Sequence, residues 1–419
     1  MKVLVVVPSF PSLNQPWIDT YLESLLREGI QFVVFTAQQN PHEYQPKVDH
    51  LGLLNHSAHY SNDRSVWLRG LGRSLLISPL WTVRQWWFLA RDIAACQVSL
   101  SRKLKAAMRS TYLASLVKRA GNFDVFHGHF EDSTFEFLLA ARALDRPMAM
   151  TFHGLPPKGI AQPAAWRRPY LYRYLARVFV NTDYARLAVG DLGCPVSKAA
   201  IVPQGLPLPD FDFCPQPAPA PGSPLRIITI GRFHRDKGHA RAILAARRLR
   251  DRGIDFCWTF VGVGPADEIM RLRRYIASLK LEQQVRLLVA APADALQSEL
   301  CKAHLFVLSS LDQGPGAHVE TQGVVVQEAQ ASGCIPIVTR VGGVPECVRD
   351  GIDAIVVRPG SSRAISDAVL DLLSRTDDWP QMMAEGRKNV ESRFSSVVIG
   401  KEMARHLRAL AEAGIRTDQ

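Results

Sequence analysis

The stretch Arg226-Ile-Ile-Thr-Ile-Gly231-Arg-Phe-His-Arg-Asp-Lys237-Gly238 decides the fold. Ile227–Ile230 is an unbroken β-branched run, which suits a strand buried on both faces. Gly231 opens a turn, and the apolar spacing from Gly238 to Asp251 reads as a helix. A doubly covered strand followed by a helix is the repeating unit of a parallel sheet. The unit recurs downstream. Phe256–Val261 is a strand ending in Gly262-Val-Gly264-Pro265, with a helix to about Leu279. Val285–Val289, Leu305–Leu308, Ile335–Thr339 and Ala354–Val357 are further strands. Upstream the chain opens with a strand at Lys2–Val7, an amphipathic helix at Gln15–Glu28 and a strand at Ile30–Phe35. More strands are expected at Asp124–Phe126, Met148–Phe152 and Val178–Val180.

Val202–Pro224 carries eight prolines and cannot be regular structure. It separates two α/β patterns, and 419 residues exceed one ordinary core. The expected fold class is α/β, with two doubly wound, Rossmann-like parallel-sheet domains facing a cleft. The boundaries read 1–205, a linker at 206–224, a second domain at 225–395, and a C-terminal helix and tail at 396–419.

Hydrophobic residues make up 47% and charged residues 21%, the balance of a folded globular protein. The net charge of +11 favours anionic partners. The seven cysteines are scattered and form no CxxC. That argues against a disulfide framework or a zinc site and suits a reducing, cytoplasmic compartment. Met1–Val7 is too short for a signal peptide, and no stretch reaches the length of a membrane span.

The region at about 63–119 breaks the strand-helix rhythm. It holds Trp67, Trp81, Trp86 and Trp87 among Arg64, Arg69, Arg73, Arg84 and Arg91, followed by Arg102, Lys103, Lys105 and Arg109. Such a helical insertion either packs as an amphipathic hairpin or rests on an anionic membrane surface. Charge alone recommends nucleic acid as a partner, and no strand platform of aromatics supports it.

Arg232 and Lys237 follow a strand, so they sit at the carboxyl edge of a sheet, where ligands bind. Arg offers a planar fork and Lys a point charge, a pair suited to a diphosphate. A solvated basic turn is the plain alternative. Further on stands Glu320-Thr-Gln-Gly-Val-Val-Val-Gln-Glu328. Asp312–Gln322 reads as a loop and Val324–Ser332 as a helix whose start, at Gly323 and Val324, favours an anion. Glu328, one turn in, can accept both hydroxyls of a ribose, and Glu320 can reach a sugar. Solvated helix carboxylates share this spacing, but a carboxylate set before Gly-Cys-Ile-Pro-Ile-Val needs compensation for its burial. Paired carboxylates also occur in glycosidases, which have no use for diphosphate cations.

Taken in order, these pieces resemble the retaining glycosyltransferases of family 4, the glycosyltransferase group 1 family, which share the GT-B fold. Gly231-Arg-Phe…Lys237-Gly resembles the diphosphate turn and Phe260-Val-Gly-Val-Gly-Pro265 the glycine loop. Glu320…Glu328 resembles the E-x7-E motif, and Gly342-Gly-Val-Pro-Glu346 with Asp350-Gly351 the segment after it. The first half is similar through Asp124-Val-Phe-His127-Gly-His129-Phe, Met150-Thr-Phe-His153-Gly154, Asn181-Thr-Asp-Tyr184, Gly193-Cys-Pro195 and Pro203-Gln-Gly205. Its pattern resembles the branch with colanic-acid and amylovoran transferases.

The resemblance implies catalytic roles for His153, Glu320, Arg232 and Lys237. It implies donor binding by Arg232, Lys237, Gly262, Gly264, Gly323, Val324 and Glu328, with His129 on the acceptor side. Three departures stand out. The loop Pro8–Pro16 lacks paired glycines, Leu287-Leu-Val-Ala-Ala291 has alanines where a glycine is usual, and Asp353-Ala354 replaces a common glycine. Asp210-Phe-Asp212 imitates a metal-binding DxD but lies in the Pro-rich linker, so no metal and no cofactor are expected. The implied function is hexose transfer from a UDP- or GDP-sugar to a glycan or polyprenyl-diphosphate-linked glycan, in bacterial exopolysaccharide synthesis. The enzyme would work in the cytoplasm or peripherally on the inner face of the cytoplasmic membrane. A non-catalytic GT-B scaffold that binds a nucleotide or glycan is the alternative.

Overall fold

The computed structural model describes residues 1–419 except 13–14, 41–45, 78–79, 81, 84–85, 88–89, 92–98, 155–166, 313–318 and 417–419. The chain forms two compact units. The first comprises 1–153, 160–202 and 399–419, and the second 154–159 and 203–398.

The first unit is built on seven strands: β1 (Lys2–Phe10), β2 (Gln31–Gln39), β3 (Ser57–His59), β4 (Val125–His129), β5 (Met148–Thr151), β6 (Arg177–Val180) and β7 (Ala199–Ile201). Their order is β3-β2-β1-β4-β5-β6-β7, and the described pairs are parallel. In register, Val5 of β1 faces Val34 of β2 on one side and His127 of β4 on the other. Val3, Val5 and Val7 are fully buried against Ile18, Leu22 and Leu25 of the helix Pro16–Arg27. Each such side chain contributes about 1.5–3 kcal/mol. From Ile399 the helix Ser396–Arg416 belongs to this unit and sets Met403, Ala404, Leu407 and Leu410 into the same core.

The helices Arg64–Ile77 and Leu100–Ala120 form the helical insertion. Its tryptophans divide. Trp67 is buried and donates its indole N–H to Ser61 O at 2.7 Å, so it is a core anchor. Trp87 is 63% exposed, and Leu76 and Leu80 of the same region are 86% and 87% exposed. Trp81 and Arg84 lie outside the described residues. Among the described residues no helix is long and apolar enough to cross a membrane.

The second unit carries six strands: β8 (Leu225–Ile230), β9 (Phe256–Gly262), β10 (Val285–Val289), β11 (Leu305–Leu308), β12 (Ile335–Thr339) and β13 (Ile355–Val357). Their order is β10-β9-β8-β11-β12-β13, again parallel. The order reverses direction at β8 and β11, the place where doubly wound sheets bind ligands. Trp258 and Trp379 fill the core, and each satisfies its indole N–H, on Thr229 Oγ1 at 3.0 Å and Leu372 O at 2.9 Å. The sequence argued against a disulfide framework; one bridge is present, Cys214–Cys301, their Cα atoms 5.1 Å apart across 87 residues. Scattered spacing along the chain did not reveal that the linker runs beside the helix Ala293–Lys302.

Candidate functional site

In the second unit the candidate residues gather at the carboxyl edges of β8, β9 and β11. Gly231 and Arg232 follow β8, and Arg232 is exposed. Lys237 ends the short 3-10 turn Arg235–Lys237. Next in the sheet, Gly262 closes β9. A Cβ on Gly262 would stand 2.0 Å from Gly231 O, and one on Gly264 would stand 2.5 Å from Phe233 O. Only glycine lets the two loops approach so closely.

Lys237 Nζ donates to Glu320 Oε1, joining residues 83 apart in sequence. Ser310 Oγ, just past β11, donates to the same oxygen at 3.2 Å. The Glu320 backbone is fixed as well, because Gly343 N–H donates to its carbonyl at 2.9 Å. The cation that the sequence offers to a diphosphate and the carboxylate that it offers to a sugar therefore hold each other. Ser310 went unassigned in the sequence, and Gly343 was noted only within the segment Gly342–Glu346, since nothing in their spacing marks them as neighbours of Glu320.

The helix Val324–Ser332 begins at Gly323, whose φ of +76° is left-handed and comfortable for glycine. Its first turn points free amides and positive dipole out of the sheet edge. Glu328 lies half-buried on this helix, and burial pushes its carboxyl up to about 7. No protein partner for that carboxyl is present among the described residues. A buried carboxyl without hydrogen bonds is costly, and a ligand that donates two hydroxyls would relieve the cost.

One departure from the family pattern has a visible price in strain. Ala290 sits at φ +53°, a left-handed conformation, where the resemblance expects glycine.

The first unit holds a separate cluster. His127 and His129 share one face of β4, two residues apart. Tyr21 Oη lies 2.6 Å from His127 Nδ1, and His127 Nε2 lies 2.8 Å from Thr151 Oγ1. His129 Nδ1 lies 3.1 Å from His153 Nε2, the rings stacked at 5.4 Å and 12°. Trp17 packs on His153 with ring centroids 4.0 Å apart. Burial drives His127 and His153 down to about 3 and His129 well below its usual value, so all three rings are neutral at pH 7. The helix Pro16–Arg27 reads in sequence as an amphipathic core helix, so Trp17 and Tyr21 gave no sign of a role here.

This arrangement is that of a GT-B glycosyltransferase. HepE of Anabaena, solved with UDP, matches with a TM-score of 0.72 over 98% of this chain and 100% of its own, at 15% identity. A glycosyltransferase from Rickettsia africae matches at 0.73 over 98% of both chains, at 16% identity. In sequence, the model for "Glycosyl transferases group 1" matches residues 210–390 and that for "Glycosyltransferase Family 4" matches 17–208. The putative colanic acid biosynthesis glycosyltransferase WcaL of Escherichia coli K12 is 33% identical over 294 residues, covering 68% of this chain and 71% of WcaL. The amylovoran biosynthesis glycosyltransferase AmsK of Erwinia amylovora is 28% identical over 220 residues, 52% of this chain and 53% of AmsK. The chain belongs to glycosyltransferase family 4, and it is a glycosyltransferase of the exopolysaccharide type.

Proposed function

We propose that this enzyme transfers a hexose from a UDP- or GDP-sugar to a polyprenyl-diphosphate-linked glycan, with retention at the anomeric carbon. The product would feed a bacterial surface polysaccharide. The observation that carries the reading is the Lys237–Glu320 pair together with Glu328 at a helix start, whose carboxyl has no protein partner among the described residues. Arg232 and Lys237 offset the charge of the departing diphosphate, aided by the helix dipole. Glu328 accepts the ribose hydroxyls and Glu320 lies nearest the transferred sugar. His153 is the further catalytic group that the resemblance implies. Protein cations neutralise the leaving group, so transfer proceeds without a metal.

Support comes from relatives named for colanic acid and amylovoran synthesis, and from HepE, solved with UDP and with UDP-glucose. The test is transfer and hydrolysis with a panel of UDP- and GDP-sugars, with product configuration read by NMR. Glu320→Ala should abolish turnover while nucleotide binding persists, and EDTA should change nothing. Binding without turnover of any donor would favour the scaffold reading.

The exposed apolar residues Leu76, Leu80 and Trp87, and the exposed Arg69, Arg73 and Arg91 of the same stretch of sequence, support peripheral contact with an anionic membrane. Flotation with anionic liposomes at low salt tests this, and absence of binding would remove it.

A further inference from the structure

Gln322 stands two residues after Glu320 and is 1% exposed. Its amide grips the backbone of a residue 118 positions away: Gln322 Oε1 accepts from Gln204 N–H at 2.7 Å, and Gln322 Nε2 donates to Gln204 O at 3.0 Å. Facing residues of antiparallel strands exchange both hydrogen bonds in the same way. A primary amide carries donor and acceptor side by side, so at neutral pH Gln can make both bonds where an ionised Glu makes one. Gln322 Nε2 also lies 3.4 Å from Gln327 Oε1, on the helix Val324–Ser332 that carries Glu328. Gln322 therefore joins three segments of the second unit: its own loop, that helix, and the segment that begins at Pro203.

Two anchors then hold the Glu320 backbone. Gly343 N–H donates to the Glu320 carbonyl at 2.9 Å, and a Cβ on Gly342 would stand 2.1 Å from that oxygen, so the loop is pressed close there. One hydrogen bond fixes a point and leaves rotation about it. Gly323 follows at φ +76°, and glycine has the widest choice of backbone angles. The Gln322 grip supplies a second fixed point, and the loop cannot turn between the Gly343 bond and Gly323.

We propose that Gln322 is a positioning residue for Glu320: by gripping the Gln204 backbone it fixes where the Glu320 carboxylate stands. The grip rests on the geometry alone. Its effect on turnover rests on the role given to Glu320 in the proposed function. Misplacing a reacting group by about 1 Å can cost roughly 100-fold in rate, so a loop anchor of this kind is felt in kcat.

The experiment uses the full-length protein. Hydrogen exchange at single-residue resolution should show the wild-type Gln204 amide protected. Exchange at the free-peptide rate overturns the proposal, and this needs no variant to fold. Gln322→Met keeps the length and removes the amide. Calorimetry with UDP and GDP counts the binding sites in each protein, and donor turnover is expressed per site. Gln322→Met should lower kcat roughly 10- to 100-fold, while nucleotide affinity stays within about threefold. A merely structural role would reduce the number of sites or the Tm and leave kcat per site unchanged, and that result overturns the proposal. Gln322→Glu adds a pH signature. Its ionised carboxylate accepts from Gln204 N–H but meets the Gln204 carbonyl without a donor, and the protonated form restores the donor. Burial favours the protonated form, so turnover relative to wild type at the same pH should rise from pH 8.5 to pH 6; a flat ratio overturns the proposal. Glu320→Ala separates the two readings. If the wild type turns over no donor, or Glu320→Ala matches it, the proposed function falls and this proposal with it. If Glu320→Ala is inactive while Gln322→Met is as fast as the wild type, only the positioning role falls.

Discussion

Replacing Glu328 by Gln should stabilise the protein above neutral pH and at the same time cost it its nucleotide. The carboxyl sits at about 7 instead of 4.5 because burial penalises its charge. The folded state therefore keeps a proton that the unfolded chain gives up between pH 4.5 and about 7. Stability falls as pH rises through that window, since the folded state binds more protons. At about 1.4 kcal/mol per pH unit the full cost above pH 7 is about 3 kcal/mol. Gln has nearly the same shape and carries no charge, so it avoids the cost. For a unit of this size about 3 kcal/mol corresponds to roughly 6–12 °C in Tm. Thermal unfolding of both proteins at pH 4.5, 6 and 8 should show no difference at the lowest pH and a growing advantage for Glu328→Gln above it. Nucleotide affinity should run the other way. In the role proposed for Glu328 the ionised carboxylate is the form that accepts both ribose hydroxyls, so affinity should rise about tenfold between pH 6 and 8. The variant should bind weakly at every pH. A Glu328→Gln protein less stable at pH 8, or a stability difference that ignores pH, would refute the argument.

Three further outcomes follow from other residues. Lys237→Ala removes the cation from Glu320 and, in the proposed function, from the diphosphate, so kcat/KM for the donor should drop about 10- to 100-fold; Lys237→Arg should recover only part of it, because a fork does not replace a point charge. Ala290→Gly relieves the left-handed backbone at φ +53° and should add about 1 kcal/mol, seen as a Tm rise of roughly 2–4 °C with turnover unchanged. Arg168 clasps the buried Glu131 through Nε and Nη2 at 3.0 Å each, with Tyr172 Oη on the same carboxylate at 2.5 Å. Arg168→Ala should cost about 3–5 kcal/mol in urea unfolding, and adding Glu131→Gln should return part of it.

Much of the second unit was legible because its strands are buried on both faces. Such strands read as unbroken apolar runs between helices. Val285–Val289, Leu305–Leu308, Ile335–Thr339 and the helix Val324–Ser332 fall where the sequence put them. The edge strands Ser57–His59 and Ala199–Ile201 escaped notice. Each has three residues, pairs on one side, and lacks a buried apolar run. Arg232, Lys237, Glu320 and Glu328 were visible as chemistry, because charge next to a strand end or a helix start is unusual without a ligand to meet it.

The amino-acid sequence by itself determined the two α/β patterns, the breaks between strand and helix, and the types of side chain available to a diphosphate and a sugar. Those depend on local periodicity and on what each residue can bury. Only the tertiary structure decided which of them touch. Lys237 meets Glu320 because β11 lies beside β8 in the sheet. His129 meets His153 because β5 lies beside β4, and Trp67 turns inward to Ser61 while Trp87 stays out. Strand order sets these contacts, and distance along the chain does not encode it, since each crossover helix can place the next strand on either side.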